Sequence, residues 1–129
     1  RFNDLIEFHG LTENIEVRGQ IQLADFTIFV REVNRVTLAG FPGKLAESIS
    51  LGTPVITNYM ENIDPYINSG CIFTFEEGGL VDAIESAALL SDQEKYFTKR
   101  KCFMSRLFHY KEFTNSIRVF FQTIGIEKT

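Results

Sequence analysis

The chain has 129 residues, of which 44% are hydrophobic, with a formal net charge of −4 and two cysteines. That length makes it one domain or part of one, with enough apolar residues for a packed core. The acidic balance excludes a general nucleic-acid binder, which needs a basic face, and no apolar run approaches the roughly 20 residues that span a membrane.

In chain order, Leu5–Phe8 reads as a short apolar strand. Thr12–Leu23 places Ile15, Ile21 and Leu23 on a mixed polar background and reads as a helix with Thr12 as its N-cap. Phe26–Val30 is a continuous apolar run, as in a strand covered on both faces. Arg31–Gly40 is a polar loop. Pro42 suits a first helical position, where its absent N–H would be unpaired anyway. The helix then runs over Lys44–Leu51, and Gly52 stops it by taking the left-handed conformation. Pro54–Thr57 is a short buried strand. Asn58–Gly70 is a long loop with one helical turn at Pro65–Asn68. Cys71–Phe75 is the fourth strand, and Cys71 is a small core residue. Gly79–Leu90 is helical, with Leu80, Ile84, Ala87 and Ala88 on one side. Ser91 caps the next helix, and Glu94 completes a capping box. That helix reaches about Phe108, and Lys111–Ile124 is the last.

The alternation predicts an α/β, Rossmann-like three-layer domain, with a parallel sheet of about four strands and helices on both faces. In such sheets ligands bind beyond the carboxyl ends of the strands. Three loops leave those ends: Gly10–Glu13, Arg31–Pro42 and Asn58–Asp64. The middle loop leads straight into a helix. A helix start opened by a glycine-containing loop presents unpaired N–H groups and a positive dipole end, which suits a phosphate. Glu47 lies about one turn inside, where its carboxylate can accept hydrogen bonds from ligand hydroxyls.

The order and spacing of these residues carry a family resemblance. Gly40, Phe41, Glu47, Gly52, Pro54 and Val55 resemble the donor-binding motif of retaining GT-B glycosyltransferases of the group-1 or family-4 type. That motif is a Glu-Gly-Phe, a second Glu in a helix, then Gly-x-Pro-Val. Here its first Glu is replaced by Ala39. Phe41-Pro42-Gly43-Lys44-Leu45 is similar to a Phe-Pro-x-Lys-Leu version frequent in bacterial surface-polysaccharide pathways. Phe8-His9-Gly10, Leu23–Phe26 and Asp64–Ile67 resemble flanking features of the family, so the likeness covers about Leu5 to Leu90.

The resemblance implies that residues 1–129 are the C-terminal part of a donor-binding domain of about six strands. Arg1 in place of an initiating Met fits a piece of a longer chain. The acceptor domain and the basic residues that clamp the diphosphate would lie upstream. The implied donor substrate is a nucleotide-diphosphate sugar, uridine or guanosine linked, with no cofactor and no metal. The implied activity is sugar transfer with retention, in the cytoplasm or peripherally at the inner face of the membrane. The start of the chain shows no signal peptide. Cys71 and Cys102, far apart and without metal-ligand spacing, are expected to be reduced thiols of a cytoplasmic protein.

Carried onto this sequence, the donor-binding residues are Gly40, Phe41, Pro42, Gly43, Lys44, Leu45 and Glu47, with Arg31 at the preceding strand end. Glu47 is expected on the ribose. Gly43 and Leu45 offer backbone N–H groups to the diphosphate. Lys44 either reaches the phosphates or pairs with Glu47. Arg31 and Arg35 either supply cationic charge or are solvated beside Glu32. No catalytic residue is assigned, and His9 reads as a structural hydrogen-bonding group. Glu76-Glu77 reads as a solvated turn. The aromatic stripes around Phe103, Phe108, Phe113, Phe120 and Phe121 read as core packing or as an interface with the acceptor domain. A bare sheet edge predicts self-association. The alternative class is a non-catalytic α/β nucleotide-binding or regulatory module. A receiver-like module needs an acidic cluster that Asp4 and Asp25 do not provide, whereas Ala39 keeps open a nucleotide-binding relic without activity.

Overall fold

In the computed structural model, which describes residues 4–125, one parallel sheet runs in the order β1 (Thr27–Phe29), β2 (Val55–Asn58), β3 (Ile72–Phe75). Thr27 registers with Val55, and Val55 with Ile72. Side chains alternate across a strand, so these three share one face while Ile28, Ile56 and Phe73 share the other. α1 (Asn14–Leu23) precedes β1. α2 (Arg35–Ala39) and α3 (Gly43–Ser50) connect β1 to β2. A 3-10 turn (Glu61–Ile63) and α4 (Asp64–Ile67) connect β2 to β3. α5 (Leu80–Ala88), α6 (Asp92–Ser105), a second 3-10 turn (Tyr110–Phe113) and α7 (Thr114–Thr123) follow.

The two faces are covered differently. α3 sets Leu45 and Ile49, one turn apart, against Val55 and Ile72, and α6 adds Cys102 to the same cluster. Leu45 and Ile49 are 0% and 1% exposed, so each contributes about 1.5–3 kcal/mol by burial. The polar groups in this layer are paired, as burial demands. Ser48 Oγ meets Thr27 Oγ1 at 2.6 Å and the Thr53 carbonyl at 2.9 Å, and Thr53 Oγ1 donates to the Ile21 carbonyl at 2.7 Å. On the opposite face α5 brings Ile84 and Ala87 over Ile28 and Ile56. Helices therefore lie on both faces, as the alternation predicts.

Gly52 closes α3 at φ 86°. The Gly52 N–H bonds to the Ile49 carbonyl and the Thr53 N–H to the Ser48 carbonyl, both at 3.0 Å. This paired closure is the Schellman motif, which a glycine serves without Cβ strain. A Cβ there would also stand 3.3 Å from the Cβ of Phe103.

Several expectations are corrected. The sheet has three strands, not about four, because Leu5–Phe8 pairs with no strand among the described residues. Leu5, Ile6 and Phe8 are 82%, 53% and 91% exposed; an apolar segment becomes a strand only beside a partner edge. The first helix starts at Asn14, with Glu13 rather than Thr12 at its N-cap. Thr12 Oγ1 bonds instead to the carbonyl of His9 at 3.3 Å. The loop after β1 contains α2. Pro42 is the N-cap of α3 rather than its first residue. α6 does have the Ser91–Glu94 capping box, but it ends at Ser105, where Arg106 turns left-handed at φ 53°. That turn swings Leu107 and Phe108 back against the core. The last helical stretch is divided into a 3-10 turn and α7. Among the described residues no helix is long and apolar enough to cross a membrane.

Candidate functional site

In a parallel sheet the helix that follows a strand starts at that strand's carboxyl end, and here that places the start of α3 beyond the end of β1. The path between them is pinned by three asparagines. Asn58 holds the end of β1: its Nδ2 donates to the Arg31 carbonyl and its Oδ1 accepts from the Arg31 N–H, both at 2.9 Å. Asn34 caps α2, accepting from the Val36 and Thr37 N–H groups at 3.0 Å while Thr37 Oγ1 accepts from Asn34 N–H at 2.9 Å. Asn62 Nδ2 donates to the carbonyls of Thr37, at 3.2 Å, and Gly40, at 2.8 Å. It thereby ties the turn before α3 to the loop after β2. The Oδ1 of Asn62 is buried with no hydrogen-bond partner.

The next residue is held by aromatic packing. The Phe41 ring lies 5.5 Å from Tyr66 and 5.4 Å from Phe108, and those two are 5.0 Å apart. Each such pair contributes about 0.5–1.5 kcal/mol beyond its buried area. Pro42, fully buried, fixes the entry into α3.

At the start of α3 the Pro42 carbonyl accepts from the N–H groups of Leu45, at 3.1 Å, and Ala46, at 3.3 Å. Pro42 supplies no side-chain cap. Gly43 and Lys44 are the first helical residues, and their N–H groups find no acceptor among the described residues. Leu45 was expected to offer its N–H to a diphosphate, but that group is already engaged and its side chain is core. Gly40 is extended, at φ −111°, and Gly43 is not left-handed. A Cβ at either would meet nothing within 4 Å. Backbone conformation and packing therefore require glycine at neither position, and both leave the helix start open to close approach.

Glu47 stands one turn inside α3 with its side chain 28% exposed, and Lys44 Nζ lies 3.4 Å from its Oε2. Of the two readings of Lys44, the ion pair is the one formed here; such a surface pair contributes at most about 1 kcal/mol.

Arg31 does not join this cluster. It lines a separate crevice of about 420 Å³ at the strand ends, with Val30, Asn58, Tyr59, Phe75 and Glu76. Val30, Asn58 and Phe75 belong to the sheet face that α5 covers, and none of residues 40–47 lines the crevice. In its wall Tyr59 has its ionisation held above the ordinary tyrosine value, chiefly by the neighbouring Asp64 carboxylate. His9 lies 3.7 Å from Glu7, both well exposed. Among the described residues no cluster of three His, Cys, Asp or Glu is placed to hold a metal.

Sequence reasoning missed Asn34, Asn58, Asn62 and Phe108. Only Asn34 had a local signal, since an Asn followed three residues later by Thr37 is a capping pattern. The other three act on partners more than 20 residues away.

The arrangement can hold an anion on two backbone N–H groups at a positive helix end and accept hydroxyl hydrogen bonds on one carboxylate. No family model matches the chain, and neither a curated protein nor a solved structure matches it.

Proposed function

We propose that this chain is the nucleotide-sugar-binding part of a GT-B glycosyltransferase, with the diphosphate at the start of α3 and the ribose on Glu47. The observation that carries the reading is the open start of α3: two unpartnered N–H groups, at Gly43 and Lys44, beside two glycines that the fold itself does not need. The motif resemblance supplies the ligand class. The sheet order supports it too. In an open sheet ordered 3-2-1-4-5-6, strand three is separated from strand four by strands two and one. Leu5–Phe8, apolar yet unpaired, fits the third strand of such a sheet, and β1, β2 and β3 fit the last three. The same comparison leaves the outer edge of β1 without a neighbour among the described residues, so the chain is expected to self-associate through it.

In this reading the acceptor domain lies outside these residues, and the 129-residue chain alone turns over no sugar. The reacting groups must be held between two domains for proximity to operate. The second reading, a nucleotide-binding module without transfer activity, is favoured by Ala39, which stands at the end of α2 where the family has its first Glu. A transfer assay on a longer chain carrying the acceptor domain separates the two.

Calorimetric titration with uridine and guanosine diphosphates, on the wild-type chain and Gly43→Ala, tests the binding claim. Ala at a first helical position is a better helix former than Gly, so the melting temperature should hold or rise. Affinity should fall at least tenfold, about 1.4 kcal/mol, because the new methyl stands where the diphosphate approaches. Equal affinity in the two proteins, or no binding in either, overturns the reading.

A further inference from the structure

We propose that Cys71 and Cys102 are a redox modification site: oxidation closes them into a reversible intramolecular disulfide that staples the start of β3 to α6. Both thiols are free and buried in one cluster, at 0% and 2% exposure. The two chain segments approach closely beside them. A Cβ on Gly70, next to Cys71, would stand 2.9 Å from Cδ and Nζ of Lys101, next to Cys102. Gly70, left-handed at φ 77°, thus admits the Lys101 side chain against the turn that leads into Cys71. The two thiols stand near enough that each is the largest influence on the other's ionisation.

The surroundings also favour a thiolate. The neighbouring Cys102 thiol lowers the Cys71 thiol to about 7, against the opposing effect of burial and with further help from the hydroxyls of Ser69 and Ser105 and the Lys101 ammonium. The same pairing raises Cys102. A thiolate is the form that reacts with peroxides and disulfides. Cys102, not Cys71, lines a cavity of about 470 Å³ with Phe103, Arg106, Leu107 and His109, so peroxide approaches the pair from the Cys102 side and reaches Cys71 as the packing opens locally.

With hydrogen peroxide as oxidant the chemistry balances. The thiolate of the pair attacks one peroxide oxygen, breaking the O–O bond and forming a sulfenic acid, with hydroxide leaving. The second sulfur attacks that sulfenic sulfur and expels the hydroxyl, which leaves as water with the second thiol's proton. The two thiols lose two electrons and two protons, and the peroxide becomes two waters. A thiol reductant reverses the closure by exchange.

This inference is independent of the nucleotide site. The reduced chain is exposed to graded hydrogen peroxide, denatured, blocked with N-ethylmaleimide and weighed intact. Both thiols should disappear together, the mass should fall by two hydrogens with no maleimide added, and dithiothreitol should restore two reactive thiols. In Cys102→Ser, peroxide should instead leave Cys71 as a sulfenic acid that dimedone traps. Should that variant not fold, the wild-type measurement is decisive alone. Loss of one thiol without the other, stepwise oxidation of one sulfur to sulfinic acid, disulfides only between chains, or no loss at all would overturn the proposal.

Discussion

Every fully buried apolar side chain among the described residues lies between residues 42 and 72, apart from Cys102, whereas α1 and α7 bury none. The contrast is not one of composition. α7 carries Ile117, Val119, Phe120 and Phe121, all about half exposed or more than two-fifths exposed, and its apolar stripe is as well formed in sequence as that of α3. The difference is what lies opposite. α3 faces β1 and β2 on one side and α6 on the other, while α1 and α7 face no comparable surface among these residues. An amphipathic pattern states that a helix has a face to bury. Only the tertiary arrangement states whether that face is covered.

The sharpest way to break this comparison is a pair of leucines. Leu45→Ala should cost about 2–5 kcal/mol, the range for emptying a packed core site. Leu23→Ala, at a residue 80% exposed, should stay within about 0.5 kcal/mol. Urea unfolding of both reads the difference, and similar midpoints would mean that the packed middle is not where the stability resides.

The second contrast lies within the packed middle, between residues that hold the loop and the residue placed to hold a ligand. Glu47→Ala should weaken nucleoside-diphosphate binding by up to about 1.5–3 kcal/mol, the scale of a charge-assisted hydrogen bond, and leave the unfolding midpoint nearly unchanged. Asn62→Ala should lower both, because it frees the Gly40 turn and strands two carbonyls, each bond being worth about 0.5–1.5 kcal/mol. Calorimetry and chemical unfolding on the same two proteins distinguish the roles, and a destabilised Glu47→Ala with intact affinity would reverse them.

A smaller effect concerns α6. The Ser91 N–H and hydroxyl bond the Glu94 carboxylate at 2.7 and 2.9 Å and hold its ionisation below the usual carboxylate range. A carboxylate depressed in the folded state stabilises above its unfolded value, and that contribution fades as pH falls through the lower folded value. The stability advantage of the wild type over Glu94→Gln, which removes the titration, should therefore shrink as pH falls through that value, read by helical ellipticity in parallel acid titrations. The smallest effect expected is that of Lys44→Met, within about 0.5 kcal/mol and dependent on salt, since it removes one exposed ion pair.

Much of the middle was legible in the sequence because its signals are local. Pro54–Thr57 announces a buried strand by its apolar run, Gly52 a helix stop by its conformational freedom, and Ser91 with Glu94 a helix start by their spacing. Leu5–Phe8 misled for the converse reason: its apolar run specifies a strand only given a neighbour, and the sequence of the segment does not contain the neighbour. α2 has no such signal, because five residues are too few for a periodic pattern to show. At the site, the glycines and Glu47 stood out by motif, while Asn62 and Phe108 did not, since their contacts with Gly40 and Phe41 exist only once the chain has folded.

The central claim, a diphosphate seated on the start of α3, is tested most directly by amide chemical-shift mapping of the labelled chain during titration with uridine or guanosine diphosphate. The account predicts that the largest shifts fall on the Gly43 and Lys44 N–H groups, with smaller ones at Gly40 and Glu47, and that they saturate together. Shifts centred instead on the Arg31–Tyr59 crevice, or none at Gly43 and Lys44 at saturating nucleotide, would contradict it.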